Sequence, residues 1–310
     1  MIEIINIKPN NNIIIPGKFI NDLSGYTIYN KDVDIYNGDE LIARFRKNTL
    51  KNNKNIEEFS TNIRSLAVRR KENRGAAAGE IDRAKVRDSA KNLFNITGCR
   101  TNFYTLSGKK SNTTICNQAK SNVIGYIDTA IRNLSIENKP EKTKLAQYCR
   151  DFPLKYNKCI PFILDLNNSF KNHSIDQYHY QKIRNNPKFT IENTVFSTIT
   201  VNYSWQSAIH KDSNNGAETY AVISVVKDHT NLNDYEGGYL LFPEFNIGFN
   251  ILEKDLFIGN TQKYYHCNST ITPVNKDIIG KWNEVDITNY WYLNRISLVA
   301  YLKKSCSVAA

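Results

Sequence analysis

Residues 189–212 read FTIENTVFSTITVNYSWQSAIHKD and begin the strand-rich half of the chain. The stretch is rich in β-branched and aromatic residues, which is typical of β-strands. It ends in a histidine and an aspartate two positions apart, His210 and Asp212. Residues at i and i+2 of an extended chain point to the same side, so both side chains can reach one metal ion. The alternative is a histidine and a surface acid at a strand end.

Short strand-like runs continue from this stretch towards the C-terminus and are separated by turn signals. They are TYAVISVVK, GGYLLFPEF, IGFNIL, DLFIGN and RISLVAYLK. Such regular spacing is typical of a β-sandwich or a jelly roll. We therefore expect residues 189–310 to form a β core, within one integrated domain.

The N-terminal region, residues 1–188, mixes hairpin and helix patterns. VDIYNGDELIARFRK, residues 33–47, places Asn37-Gly38 between alternating apolar runs and predicts a hairpin. Residues 56–73 carry an apolar residue every three or four positions, which predicts a helix capped by Asn55 and Glu58. We expect this region to support the core and to shape the substrate site.

Two further helices are predicted before the strand-rich half. CIPFILDLNNSFKN, residues 159–172, places Phe162, Leu166 and Phe170 on one face. SIDQYHYQKIRN, residues 174–185, begins with Ser174 and Gln177 at capping-box spacing. The predicted fold class is therefore α+β, with helices packed around the β core.

Charge and cysteine usage narrow the classes of partner and compartment. The formal net charge of +11 favours a polyanion such as nucleic acid, although lysine-biased codon usage would give the same charge. Six scattered cysteines form no CxxC pair, which suits reduced thiols. We see no signal peptide or membrane span and expect a soluble, intracellular protein. Heavy use of Ile, Lys and Asn hints at a viral source, and then at the host cytoplasm or nucleus.

A third metal ligand must come from another strand. Of the five histidines, His173 and His179 fall in a helical segment and His229 lies in a polar loop. His266 follows an apolar strand and a turn, so it can face inward from a neighbouring strand. Two imidazoles and one carboxylate form the facial triad of Fe(II) oxygenases, which leaves other coordination positions open.

Arg295 lies on a predicted strand between apolar residues, where an unpaired charge is costly to bury. It needs an anionic partner, and a dicarboxylate cosubstrate provides one through a bidentate contact. Ser297, two residues further on, faces the same side and can add a hydroxyl hydrogen bond. The alternative for Arg295 is a salt bridge with an acid of the protein.

The order HxD, distal histidine and RxS resembles the 2-oxoglutarate- and Fe(II)-dependent oxygenase superfamily, over roughly residues 189–303. The layout resembles its TET/JBP group, which oxidises the methyl group of thymine or 5-methylcytosine in DNA and includes viral and phage proteins. This resemblance implies a double-stranded β-helix. It also implies that His210, Asp212 and His266 bind Fe(II), while Arg295 and Ser297 hold the distal carboxylate of 2-oxoglutarate, with O₂ as the oxidant.

The resemblance also suggests residues that contact DNA. TET enzymes carry an asparagine three residues after the iron aspartate, and here that position is Asn215, within a turn-like sequence. Basic and aromatic residues of the N-terminal region, including Arg100, would suit a phosphate-gripping rim around a flipped base or simply a solvated face. They are Arg69, Arg70, Arg74, Lys85, Arg87, Arg100, Lys109, Lys110, Phe103 and Tyr104.

Three functions are compatible with these patterns. The first is a dioxygenase that hydroxylates the methyl group of thymine or 5-methylcytosine in DNA. The second is an oxygenase with the same core that acts on a protein residue or a small molecule, because GGYLLFP also resembles prolyl-hydroxylase-type members. The third is a nucleic-acid-binding protein whose β core has lost catalysis, although the intact ligand set argues against it.

Overall fold

The structure is a computed structural model that describes most of the chain. The described residues are 2–67, 75–82, 114–116, 121–128, 143–213, 215–216, 218–231, 233–275 and 293–308. Four α-helices are present in them: α1 (Asn53–Ala67), α2 (Gln147–Asp151), α3 (Pro153–His173) and α4 (Ile175–Arg184). Short 3-10 helices span Gly75–Ala78, Pro187–Phe189 and Lys304–Cys306.

Seventeen β-strands accompany these helices in the described part of the chain. The first eight are β1 (Glu3–Asn6), β2 (Thr27–Tyr29), β3 (Val33–Asn37), β4 (Glu40–Arg46), β5 (Glu80–Asp82), β6 (Thr114–Cys116), β7 (Ser121–Asp128) and β8 (Thr143–Leu145). The others are β9 (Thr198–Tyr203), β10 (Ala221–Lys227), β11 (Tyr235–Gly237), β12 (Leu240–Phe242), β13 (Ile247–Phe249), β14 (Leu256–Gly259), β15 (Cys267–Asn268), β16 (Ile271–Pro273) and β17 (Arg295–Tyr301).

A nine-stranded sheet forms the main layer, in the order β1-β3-β4-β14-β10-β17-β9-β7-β8. Its centre is antiparallel: β17 pairs with β10 on one side and with β9 on the other. Strands from both sides of residue 188 contribute to this sheet. The fold is therefore α+β, as predicted, and its largest sheet joins the two halves of the chain.

A second sheet of four strands, in the order β15-β12-β13-β2, faces part of the main sheet. Apolar side chains from both sheets form one cluster between them, which includes Ile223, Phe242, Phe249 and Phe257. Phe249 and Phe257 pack edge to face with ring centroids 4.9 Å apart. Two smaller pairs, β11-β16 and β5-β6, complete the strands.

The helices cover the opposite face of the main sheet. The rings of Phe59 of α1 and Phe162 of α3 pack at a tilt of 40° with centroids 4.6 Å apart, and both are fully buried. Leu166 and Phe170 of α3 belong to the same cluster, as the spacing of these residues predicts. Burying side chains of this size is worth about 1.5–3 kcal/mol each, so this layer anchors the helices to the sheet.

The predicted cap of α1 is wrong by one turn. The helix begins at Asn53, so Asn55 and Glu58 lie inside it. Asn52 supplies the cap, since its side-chain oxygen accepts from the backbone N–H of Asn55 at 3.3 Å. The Asn55 amide instead donates to Asp165 of α3. An asparagine three residues earlier has the same capping chemistry, and the sequence pattern did not separate the two.

The capping box of α4 is also corrected. Ser174 is the residue before the first helical turn, as predicted, but its side chain makes no capping bond to the backbone. Its hydroxyl donates to the Gln177 side chain at 2.7 Å.

The predicted hairpin over residues 33–47 is confirmed as β3 and β4, with a turn in which Gly38 has φ +62°.

Three further sequence predictions meet the described residues only in part. The segment 74–88, rich in small residues and then charged, predicts a loop leading into a short helix; its described part is the 3-10 helix and β5, and residues 74 and 83–88 lie outside the described residues. GCRTNFYTLSGKKSNTT, residues 98–114, predicts another hairpin with a basic tip at Lys109-Lys110, and all of it except Thr114 lies outside them. SIENKPEKTKL, residues 135–145, predicts an exposed connector; its described part is β8, in which Thr143 is buried.

Two properties of the described residues bear on compartment and redox chemistry. Four cysteine side chains among them are buried and free: Cys149, Cys159, Cys267 and Cys306. Burial raises the pKa of the Cys149 thiol to about 11, so this thiol is protonated at neutral pH. Among the described helices, none combines the length and apolar character needed to cross a bilayer.

Candidate metal centre and its cavity

His210 and His266 lie side by side although 56 positions separate them in the sequence. Their backbones form an antiparallel bridge, in which each residue's N–H donates to the other's carbonyl at 3.0 and 2.9 Å. The two rings lie 4.2 Å apart between centroids. Backbone pairing therefore fixes both imidazoles before any ligand binds.

The Nδ1 atom of each imidazole faces a main-chain carbonyl of its own segment. His210 Nδ1 lies 2.7 Å from the Ala208 carbonyl, and His266 Nδ1 lies 3.3 Å from the Tyr264 carbonyl. A carbonyl only accepts, so Nδ1 carries the proton in the neutral ring and Nε2 keeps its lone pair. This arrangement is the one that orients histidine ligands of metals.

Asp212 completes the cluster. Its Oδ1 lies 3.7 Å from His210 Nε2, and its Oδ2 lies 3.7 Å from His266 Nε2. Both distances are longer than a hydrogen bond, so the carboxylate is not hydrogen-bonded to either of these ring nitrogens. The three ligand atoms lie within 4.8 Å of one another and are the one group of this kind among the described residues. Two neutral imidazoles and a carboxylate fit a divalent iron.

Arg295 opens β17 with its side chain inside the protein, 2% exposed. Its NH2 group donates to the Gly238 carbonyl at 3.1 Å, whereas Nε and NH1 have no hydrogen-bond partner among the described residues. No carboxylate in that part of the chain lies within 4.0 Å of the guanidinium. Burial lowers the pKa of Arg295 below its ordinary value, and a bound anion would offset that cost.

Gly238 allows this close approach to the arginine. Its φ of +67° lies in the left-handed region, where side chains are disfavoured. A Cβ at this position would lie 3.0 Å from Arg295 Nε and 3.1 Å from a side-chain carbon of Ile271. The second glycine of the GGYLLFP motif is therefore required by the arginine packed against it.

One cavity of about 180 Å³ joins these groups. It is lined by the three ligand residues and also by Arg295 and Ser297. Thus the structure brings together all five residues that the sequence selected for iron and 2-oxoglutarate. The alternative of a core salt bridge for Arg295 finds no acid partner among the described residues.

Asn215 also lines this cavity and is 2% exposed. Its backbone N–H donates to the Asp212 carbonyl at 3.3 Å, and its carbonyl accepts from the Gln262 side chain. Its side-chain amide donates to Thr261 Oγ1 at 3.4 Å. Asn215 is therefore both a residue of the turn after Asp212 and part of the cavity wall.

The other histidines lie away from the centre. His173 ends α3 and His179 lies on α4, as predicted. His229 is in a polar loop, which predicts a solvated side chain, but its Nε2 lies 3.2 Å from a carboxylate oxygen of Glu253. Arg100 and the other residues of the predicted basic rim lie outside the described residues.

Several cavity residues were missed by the sequence reasoning. Thr200 and Asn202 of β9 and Ser121 of β7 face the cavity, and Trp205 lies just beyond β9. A signal for two of them was present, because TITVNY in β9 alternates polar and apolar residues. Trp205 carried no such signal, since a tryptophan at a strand end is ordinary core composition.

Comparison with known proteins gives the family. The sequence profile of the Tet_JBP family, described as the oxygenase domain of the 2OGFeDO superfamily, matches residues 124–304. The chain belongs to this oxygenase family. Its cofactors are accordingly Fe(II) and 2-oxoglutarate, and the His210, Asp212 and His266 donor set fits the metal.

Two relatives of this Tet_JBP protein come from trypanosomes. It is 23% identical over 185 residues to the bifunctional helicase and thymine dioxygenase JBP2 of Trypanosoma cruzi, covering 59% of this chain and 15% of the relative. It is 24% identical over 171 residues to the thymine dioxygenase JBP1 of Trypanosoma brucei brucei, covering 55% and 19%. This chain thus spans less than a fifth of the length of either relative.

A solved structure, NgTET1 in complex with 5mC DNA, is also similar. Its TM-score is 0.47 at 12% identity, with 91% of this chain and 80% of that chain covered.

Proposed function

We propose that this protein is a dioxygenase that uses Fe(II), 2-oxoglutarate and O₂ to hydroxylate the methyl group of thymine or 5-methylcytosine in DNA. The observation that carries the proposal is the shared cavity. A His-Asp-His triad and a buried arginine without an acid partner among the described residues line the same space. A metal and a dicarboxylate are the two ligands that such a pair of sites would bind together.

In this proposal His210, Asp212 and His266 hold the iron, and the remaining coordination positions stay open to other ligands. Bound iron with 2-oxoglutarate and O₂ supplies the oxidation of an unactivated C–H bond. The protein's own task is to orient that C–H bond and to keep water out of the cavity. The closely packed walls around His266, itself 5% exposed, suit that task.

Arg295 and Ser297 would hold the distal carboxylate of 2-oxoglutarate. Both side chains line the cavity, because residues i and i+2 of β17 face the same side. The unpaired Nε and NH1 of Arg295 lie on two different edges of the guanidinium, and either can join NH2 in the two-pronged contact that a carboxylate accepts. The Ser297 hydroxyl would add a further hydrogen bond.

The core that carries these residues is proposed to be a double-stranded β-helix within residues 189–310. The facing four- and nine-stranded sheets support this assignment, as does His266, whose ring lies 6.2 Å from that of Phe242 in their shared core. Residues 1–188 would support the core and shape the substrate site. Their strands β1, β3, β4, β7 and β8 in the main sheet support the first of these roles.

Three observations support DNA as the substrate. The chain carries a formal charge of +11, which suits a phosphate backbone. The two trypanosome relatives are named thymine dioxygenases. Asn215 lines the cavity three residues beyond Asp212, where its amide could hydrogen-bond a base. The target base must leave the stack to enter such a cavity.

The deciding experiment is product analysis on DNA. Purified protein is incubated with Fe(II), 2-oxoglutarate and DNA that contains either thymine or 5-methylcytosine, and the nucleosides are analysed by mass spectrometry. We expect a hydroxymethyl base that depends on both cofactors and is absent with His210→Ala. If neither single- nor double-stranded DNA yields it, the substrate assignment fails, and a peptide or small-molecule hydroxylase becomes the function to test.

A second variant tests the role of Asn215. Asn215→Ala should reduce turnover on DNA and leave the DNA-independent decarboxylation of 2-oxoglutarate largely intact. A residue that only shapes the turn would change both activities together or neither. Thermal melting of the variant provides the folding control, because Asn215 also hydrogen-bonds Thr261.

A further inference from the structure

Buried polar atoms without partners indicate what a cavity is built to bind. Of the side-chain atoms in this state among the described residues, three belong to residues that line the metal-site cavity. They are Nε and NH1 of Arg295 and Nε1 of Trp205. All three are hydrogen-bond donors, whereas the unpaired acceptors of the neighbouring Gln206 and Asn294 belong to residues that do not line the cavity. The missing ligand must therefore be rich in acceptors.

The backbone fixes Trp205 next to Arg295. Ser204 adopts a left-handed conformation with φ +43°, and its N–H donates to the Arg295 carbonyl at 2.7 Å. Its hydroxyl donates to the Leu293 carbonyl, also at 2.7 Å. A serine in this region is strained and persists only where its surroundings hold it. The turn at Ser204 thus takes the chain off β9 beside the start of β17.

The chain after Trp205 is held as well. Ser207 donates its hydroxyl to Asn268 at 2.8 Å, and its carbonyl accepts from the Asn268 backbone. Trp205 is 5% exposed, so its indole N–H cannot turn to bulk water. A buried donor held in place without a partner is rare in folded proteins and requires an explanation.

We propose that the Trp205 indole N–H donates to the same distal carboxylate of 2-oxoglutarate that Arg295 binds. A carboxylate has about four acceptor positions, which exceeds what Arg295 and Ser297 can fill. The inference rests on the proposed function, in which 2-oxoglutarate binds at Arg295. Trp205 acts in binding only, and its N–H takes no part in proton transfer.

The first test measures cosubstrate affinity without DNA or turnover. 2-Oxoglutarate is titrated into anaerobic Fe(II)-loaded protein by calorimetry, for the wild type, Trp205→Phe and Arg295→Ala. Phenylalanine keeps an aromatic ring and removes the donor. We expect the dissociation constant of Trp205→Phe to rise about tenfold, which corresponds to about 1.4 kcal/mol. Tyr178→Phe, in the helical layer, is the matched control and should bind normally.

A ligand comparison separates a carboxylate contact from cavity shape. 2-Oxopentanoate carries a methyl group where 2-oxoglutarate has its distal carboxylate. The effect of Trp205→Phe should be present with 2-oxoglutarate and absent with 2-oxopentanoate. An equal loss with both ligands would mean that the indole only fills space, and the proposal would be overturned.

A spectroscopic measurement tests the contact in the wild-type protein, and the variant serves only to assign the signal. The chain has three tryptophans, so the Zn(II)-loaded, ¹⁵N-labelled protein should give three indole N–H signals. The signal missing from Trp205→Phe belongs to Trp205, and it should shift on addition of 2-oxoglutarate but not of 2-oxopentanoate. An unmoved signal in a protein that binds 2-oxoglutarate overturns the inference alone. Wild-type protein that binds no 2-oxoglutarate overturns the proposed function.

Discussion

His210 and His266 show how single residues are prepared for a metal. Each ring has its Nδ1 turned to a backbone carbonyl, at 2.7 and 3.3 Å, which directs Nε2 towards Asp212. The backbone bridge between the two residues holds this arrangement without an ion. Little reorganisation is therefore required when iron binds, and each ligand should contribute its full coordination energy.

The first prediction concerns iron binding at the residue scale. Wild-type protein should bind one Fe(II) per chain, and His210→Ala or Asp212→Ala should abolish stoichiometric binding, because each removes one of three protein ligands. His179→Ala, an exposed histidine on α4, is the control and should retain the metal. Anaerobic Fe(II) titration measures both. Undiminished binding in both ligand variants would contradict the site.

Gly238 provides the second prediction. Gly238→Ala would place a Cβ 3.0 Å from Arg295 Nε, so we expect the dissociation constant of 2-oxoglutarate to rise while iron binding persists. Gly38→Ala is a matched control, since its φ of +62° is similar and nothing lies within 4 Å of its Cβ. Both variants should lose about 1 kcal/mol of stability from backbone strain.

Equal 2-oxoglutarate affinity in the two glycine variants would show that Gly238 is needed only for its turn. Calorimetry gives the affinities, and denaturant unfolding gives the stabilities.

The metal residues were predictable from the sequence, whereas the donors around them were only partly so. The HxD spacing forces two ligands to one side of an extended chain, and an inward-facing histidine could be inferred from its apolar flank. Trp205 could not be found this way, because its proposed role depends on a left-handed Ser204. Local sequence does not encode which buried donor remains unpaired.

At the scale of elements, Asp228 links α1 to the centre of the main sheet. This residue follows β10 and is 1% exposed. It accepts from Arg64 of α1 at 2.8 Å and from the Tyr203 hydroxyl of β9 at 2.9 Å. Its own backbone N–H donates to the Asn294 carbonyl, directly before Arg295. The network therefore supports the start of β17, the strand on which we propose that 2-oxoglutarate binds.

The third prediction follows from the pKa of Asp228. Burial alone would raise this pKa, but hydrogen bonds from Thr230, Arg64 and Tyr203 outweigh it and hold the pKa below its ordinary value. The carboxylate therefore stabilises the fold fully above about pH 4, the value of the unfolded chain, and this stability is lost as the pH falls through the folded-state pKa.

Asp228→Asn should accordingly lower the free energy of unfolding by roughly 2 kcal/mol at pH 7, through weaker hydrogen bonds to Arg64 and Tyr203. The difference from the wild type should shrink steadily below about pH 4. Urea unfolding between pH 2 and 7 measures it. Asp151→Asn, on the exposed side of α2, is the control. A difference that does not change with pH would contradict the prediction.

Helices and hairpins were predicted more reliably than their ends and their partners. The period of Phe162, Leu166 and Phe170 depends only on local geometry, and it gave α3 directly. The α1 cap was misplaced because Asn52 and Asn55 are chemically equivalent in sequence. The order of the nine-stranded sheet depends on long-range pairing, such as β14 between β4 and β10, which no local pattern specifies.

At the scale of the whole molecule, Lys211 places a positive charge at the entrance of the cavity. This lysine lies between two metal ligands in sequence, is exposed, and lines the cavity. Its ammonium lies over the Tyr265 ring at 4.3 Å from the centroid. A fixed cation at the entrance is well placed to contact a phosphate next to an extruded base.

The last prediction is that Lys211 contributes one phosphate contact to DNA binding. Lys211→Met should weaken DNA binding equally across sequences and reduce the slope of log K against log salt by about 1. Lys171→Met is a matched control, since its ammonium also lies over a tyrosine ring, that of Tyr178 at 6.0 Å, but on the helical layer away from the cavity. Fluorescence anisotropy over a salt series measures both slopes. Identical slopes for the two variants would place the DNA elsewhere on the molecule, whereas a loss confined to Lys211→Met would place its backbone at the cavity entrance.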